Sequence, residues 1–284
     1  MYAINRSSKK AGMSFAVSLA SPSDVSRIAE IAVRAFDSDA HTQMKVEVQG
    51  SSVFEKGMAQ GAQSWLASPR TIVIKATDDR TGIIVGFCAW GFRGVPLDAT
   101  PETDNSGSGI NYDSVSDISE TANDEDAQVS QAEGAERIAE LEVLTDKHLS
   151  DFMEKIMPEG SKCIFICSIA VDPLYTGQGI GSLLIKWGTK AADRFGAFSW
   201  VHSSEAGWRF YEKHGFKELD RLTVNLDDWA GQSSEDRKRW ASIPGDMGCG
   251  SARCEQLLVL ATTTRYLVPA CLCVYSSKSL YLDL

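Results

Sequence analysis

The chain has 284 residues, 43% of them hydrophobic, and sets 28 Lys and Arg against 38 Asp and Glu for a formal charge of −10. That is enough apolar chain for a substantial core, which excludes a largely disordered protein. No apolar run reaches the roughly 18 residues that a membrane-spanning helix needs, so neither a membrane nor a nucleic acid is expected as partner.

Residues 1–13 carry Arg6, Lys9 and Lys10 but no apolar stretch, so they read as a flexible terminus rather than a secretory signal. The expected location is the cytoplasm, with a short mitochondrial presequence left open. Residues 14–19 alternate as a first strand. Ser21-Pro22-Ser23-Asp24 then caps a helix whose Val25, Ile28, Ile31, Ala32, Ala35 and Phe36 share one face. A second helical region spans 53–66, and 70–76 with 83–92 form a hairpin around the turn at 78–82.

Charge then becomes uneven. From Asp98 to Asp146 there are fourteen acids against a single base, Arg137, an excess larger than that of the whole chain. The rest is slightly basic, which suits an anionic ligand. Residues 100–128 are rich in Ser, Asp, Gly and Asn and are expected to form a disordered loop. From Ala135 to Met157 apolar residues recur at helical spacing, predicting one or two helices over about 130–157.

The second half of the chain reads as a strand at 163–171, a helix at 182–195, a strand at 198–202, a helix at 205–213 and a strand at 216–226. A last strand would come from 257–261 or 266–274. Between the first strand and its helix stands Val171-Asp172-Pro173-Leu174-Tyr175-Thr176-Gly177-Gln178-Gly179-Ile180-Gly181-Ser182. Glycines there let backbone N–H groups converge on phosphate oxygens at a helix N-terminus. No Lys-Ser or Lys-Thr follows, so this is not a Walker A loop, and the spacing lacks the Rossmann G-x-G-x-x-G form. A plain strand-to-helix turn stays open on the glycines alone.

Seven cysteines point to a reducing compartment. Cys88, Cys163 and Cys167 lie in predicted strands and are expected as small buried hydrophobes. Cys249, Cys254, Cys271 and Cys273 match no zinc-module spacing, and no metal is expected.

The run from Cys163 to Phe216 resembles the core of the GNAT superfamily of acetyl-CoA-dependent N-acetyltransferases. In that family the loop reads Arg/Gln-x-x-Gly-x-Gly/Ala; here Gly179 and Gly181 take the two small positions, and Thr176 stands where Arg or Gln is expected. The block from Ala206 to Phe216 resembles the family's late helix and turn. The resemblance implies an α+β fold, with a mixed, mostly antiparallel sheet splayed between its central strands, flanked by helices and interrupted by the acidic insertion. It implies an acetyltransferase domain over 14–226 that includes the insertion at 97–160, followed by an extension at 227–284.

For function the resemblance implies transfer of an acetyl group from acetyl-CoA to a primary amine, small molecules being the expected acceptors, with protein N-termini or lysines open. Strand backbone at Ile169, Ala170 and Val171 would pair with the pantetheine arm. Thr176, Gly177, Gln178, Gly179, Ile180, Gly181 and Ser182 would hold the pyrophosphate, Ser204 would touch the cofactor, and Tyr211 would protonate the leaving thiolate. The alternative for Tyr211 is simple packing. His202 and His214 are possible bases, although a His beside Gly215-Phe216 is often a turn residue, and Ser168 stands where a basic carboxylate could have been. Two other readings stay open: a non-catalytic module that binds CoA, and an interaction protein that docks a basic partner through the acidic insertion. The insertion could cover the acceptor site or be solvated without a catalytic role.

Overall fold

The computed structural model describes residues 14–96, 125–229 and 254–262. Seven strands form one sheet in the order β1-β2-β3-β4-β5-β7-β6: β1 (Phe15–Leu19), β2 (Thr71–Asp78), β3 (Ile84–Arg93), β4 (Cys163–Val171), β5 (Phe198–Ser204), β6 (Phe216–Asn225) and β7 (Cys254–Thr262). Every neighbouring pair is antiparallel except β4 and β5. The sheet is therefore mixed and mostly antiparallel, as expected for the α+β class.

Helices α1 (Val25–Phe36), α2 (Ala40–Gln49) and α3 (Ser51–Ala67) join β1 to β2. The capped helix expected after β1 forms: the Ser21 amide donates to Asp24 Oδ2 at 2.7 Å, and Lys75 Nζ on β2 donates to the same oxygen at 2.6 Å. Ile28, Ile31 and Ala32 pack on Val73, Phe87, Ala89 and Ala170. The polar sequence of α2 gave no helical periodicity, and only Met44 of it is buried.

Helix α4 (Glu125–Ile156) is a single helix. The disorder expected at 100–128 lies outside the described residues as far as 124, and 125–128 open α4. Its C-terminal half is core: Phe152 and Ile156, with Met157 just beyond the helix, pack with Cys163, Trp200, Val259 and Ala261. Leu141 and Ile138 pack with Met44, Val224 and Leu226.

Helices α5 (Ile180–Phe195) and α6 (Glu205–Glu212) contribute to a further cluster, where Ile180, Leu184, Ile185 and Tyr211 meet Val85, Cys88, Trp90 and Ile166. The strand expected at 257–261 is β7, and it runs between β5 and β6. The extension beyond 226 thus supplies an interior strand, while 266–274 lie outside the described residues. Among the described residues no helix is long and apolar enough to cross a membrane.

Candidate active site

The site begins with a fault in the sheet. β4 and β5 pair only from Cys163 with Phe198 to Ile166 with Val201, whereas β4 stays paired with β3 as far as Val171. At the point of separation the register of β3 against β4 shifts: Ala89 faces Ser168 and Trp90 faces Ile166, leaving Cys167 as an extra residue. Such a bulge bends its strand. Beyond it the β5-facing edge of β4 lies free, and an extended ligand could use it as a partner strand would.

The splay opens into a cleft of about 720 Å³. Ile169, Ala170 and Val171 line it, as do Thr176, Gly177, Gly179, Ile180, Gly181 and Ser182 from the glycine loop. Gly177 and Gly179 have φ of 76° and 85°, left-handed conformations that a side chain would strain, and Gly179 caps α5. The first amides of α5 have no carbonyl within the helix to pair with, so their donors and the positive end of the helix are available to an anion.

Two loop residues depart from the expected arrangement. Thr176 turns its hydroxyl back to donate to the Pro173 carbonyl at 2.8 Å. Gln178 is in the loop but not in the cleft wall, and its side-chain oxygen is buried without a partner. The loop thus offers the cleft chiefly backbone.

The loop is fastened from behind. Asp172, only 1% exposed, accepts from Arg27 Nη2 at 2.7 Å, Arg34 Nη1 at 3.1 Å and the Leu174 amide at 3.0 Å. Burial alone would raise its carboxyl, yet the Leu174 amide and the two guanidinium groups hold it below the ordinary carboxylate value. Sequence reading missed this anchor, although Arg27 and Arg34, seven residues apart and thus on one face of α1, were a legible hint.

On the far wall stand Ser204, which caps α6, and Tyr211. The Tyr211 ring is edge-on to Phe210 at 5.2 Å and to Phe216 at 5.6 Å. Burial, with a smaller contribution from Cys88, pushes its phenol well above the usual value, so it stays protonated. Gly207 leaves it room, since a Cβ there would stand 2.4 Å from Ser203 Oγ and 3.0 Å from the Tyr211 ring.

Beside the loop, Ser182 Oγ and His214 Nε2 lie 3.0 Å apart. Burial, then Lys186 and Lys213, lower the His214 pKa, so this end of the cleft is electropositive. Phe36, Cys167 and His202 line the cleft as well. Cys167 is exposed rather than buried as expected, because the bulge turns it out of the ladder. Its thiol is nevertheless pushed up to about 12 by the protein packed around it, despite an opposing hydrogen bond with the Gly91 backbone. Phe36 was legible only as the end of an amphipathic helix.

Residues 148–216 match the family model described as the acetyltransferase (GNAT) family. The match spans β4, the glycine loop, α5, β5 and α6. That segment matches a GNAT acetyltransferase domain. No curated protein matches the sequence. Among solved structures, similar chains include a mosquito arylalkylamine N-acetyltransferase like 5b, 15% identical with a TM-score of 0.47, covering 88% of this chain and 99% of that one. The histone acetyltransferase HPA2 and related acetyltransferase from Corynebacterium glutamicum is 14% identical with a TM-score of 0.45, over 90% and 99%. The PaiA N-acetyltransferase from Thermoplasma acidophilum, in complex with coenzyme A, is 11% identical with a TM-score of 0.42, over 88% and 99%. The assignment of the GNAT domain rests on the family match, whose span carries the loop, the splay and Tyr211.

Proposed function

We propose that this protein transfers the acetyl group of acetyl-CoA to a primary amine of a small molecule, by direct attack within a ternary complex. The observation that carries this reading is the junction of two features in one cleft: the glycine-capped N-terminus of α5 and the free edge of β4. A ligand with a phosphorylated end and an amide-bearing arm leading to a thioester suits both.

The amides from Gly177 to Ser182 would take the pyrophosphate, with Lys186 and Lys213 adding positive potential. The free edge of β4 at Ile169, Ala170 and Val171 would pair with the pantetheine amides, and a backbone N–H there would stabilise the oxyanion formed as the amine attacks. As the C–S bond breaks, Tyr211 would donate its proton toward the sulfur. A phenol pushed above its ordinary pKa is a weak acid but a dependable donor, so it hydrogen-bonds to the sulfur first and passes its proton only as the thiolate forms.

No Asp or Glu lines the cleft among the described residues. Preference for a cationic acceptor would therefore come from the acidic segment rather than from the cleft wall; equal turnover of neutral and polycationic amines would argue against it. The test of the reading is release of free CoA thiol from acetyl-CoA across a panel of amines. Amine-dependent release with a matching acetylated product supports the reading. Binding of acetyl-CoA without release from any amine would leave a CoA-binding module instead.

A further inference from the structure

Acyl transfer to an amine leaves a proton to be removed, and the cleft wall offers few groups to take it. With no carboxylate there, the side chains with a basic nitrogen are Lys213 and His214, together at the electropositive end, and His202 on β5. His202 is set apart by its surroundings. Its Nε2 is buried without a hydrogen-bond partner, and the residue is part of the cleft wall. An orphaned nitrogen of this kind calls for an explanation.

The neighbouring ring supplies one. His148, on α4, lies with its ring centroid 6.1 Å from that of His202, tilted by 40°, and its Nδ1 is also buried without a partner. Two neutral imidazoles, one protonated at Nε2 and the other bare at Nδ1, are complementary donor and acceptor. The gap is suited to one bridging water or to a small ring rotation.

We propose that His202 takes the proton of the acceptor amine and passes it to His148, so that the helix supplied by the insertion forms the outlet of a proton relay. This proposal rests on the acetyltransferase reading. The amine nitrogen bonds to the thioester carbon, the C–S bond breaks with its electron pair left on sulfur, and Tyr211 supplies the sulfur's proton. The proton shed by the amine goes to Nδ1 of His202. Nε2 of His202 releases its own proton to Nδ1 of His148, and Nε2 of His148 discharges to solvent. Return of a proton from solvent to Tyr211 closes the cycle without any further reactant.

The electrostatics agree with a carrier. Burial first, and then His148, lower His202 to about 4, so the ring is neutral at working pH; it is a weak base that takes the proton only once the bond to carbon has made the amine nitrogen acidic, and it does not retain it. Around it stand His148 from α4, the apolar Val259 beside it on β7 and the Cys167 thiol on the opposite wall of the cleft; of these, His148 is the group whose charge bears on it.

The test compares full-length wild type with His202→Ala, His202→Gln and His148→Gln, reading kcat, KM for each substrate, the pH profile and rescue by added imidazole. Acetyl-CoA-induced thermal stabilisation serves as the control for a folded site. The expected result is a kcat about 100-fold lower in both His202 variants, unchanged KM for acetyl-CoA, and partial recovery of His202→Ala by imidazole. His148→Gln should lose less and show an altered pH profile. Wild-type kcat and pH profile in the His202 variants would overturn the relay alone, as would a slow His202→Ala that imidazole does not rescue. Absence of amine-dependent release in the wild type itself would overturn the relay together with the acetyltransferase reading.

Discussion

Arg27 Nη2 donates to Asp172 Oδ2 across 2.7 Å, fastening α1 to the residue at which the phosphate loop begins. Asp172→Ala is predicted to destabilise the protein by about 3 kcal/mol, near the lower end for breaking a buried pair because Arg27 still reaches water. It should also weaken acetyl-CoA binding, since Leu174 loses its carboxylate acceptor. Chemical denaturation and calorimetry check the two effects. The carboxyl lies below its ordinary value in the fold, so its contribution is full above the unfolded pKa near 4 and disappears as pH falls through the depressed one.

Tyr211→Phe removes one hydroxyl from a ring whose packing against Phe210 and Phe216 remains. The expected outcome is a kcat lower by about 100-fold with KM for acetyl-CoA unchanged. Because the folded phenol titrates above its ordinary value of about 10, wild-type kcat should show no basic limb from this group below that pH. A steady-state pH series measures both.

His41 and His202 are each lowered to about 4, His41 chiefly by burial and then by Lys45. Depressed histidines bind protons in the unfolded chain first, so their contribution to stability is full above about 6.5 and is lost as pH falls toward 4. The slope of unfolding free energy in that window should be about 1.4 kcal/mol per pH unit for each histidine that titrates. Urea titrations from pH 7 to 4 should show a flatter slope in His41→Gln.

Phe152 on α4 is 5% exposed and meets the Trp200 ring at a centroid distance of 6.3 Å. Phe152→Ala is predicted to cost about 3 kcal/mol in urea denaturation. A change below about 0.5 kcal/mol, the scale of surface substitutions, would show that α4 is an appendage rather than core.

The legible parts of this chain were those where a local pattern carried its own physics. Apolar spacing in α1, the continuous apolar run of β4 and the glycines at 177, 179 and 181 each announced an element or a turn. Facts set by tertiary geometry were not legible: that β7 enters between β5 and β6, that Asp172 holds two arginines of α1, and that the Thr176 hydroxyl is spent on the Pro173 carbonyl. Cys167 shows the same limit. A period-two pattern places it in a strand, but only the register of β3 against β4 shows that it is the extra residue where the sheet parts. The pairing of His148 with His202 joins residues 54 positions apart, and no spacing rule could have linked them.

Thermal unfolding with and without acetyl-CoA, in wild type and in Gly179→Glu, tests the central claim most directly. Gly179 sits at φ 85° with no atom within 4 Å of an added Cβ, so the substitution strains the loop and brings negative charge to the phosphate site without a core clash. At 100 times its Kd a ligand of the native state adds about 2.7 kcal/mol, a rise of several degrees in Tm, which the wild type should show and the variant should lose. An unchanged wild-type midpoint at saturating acetyl-CoA would contradict the account at its foundation.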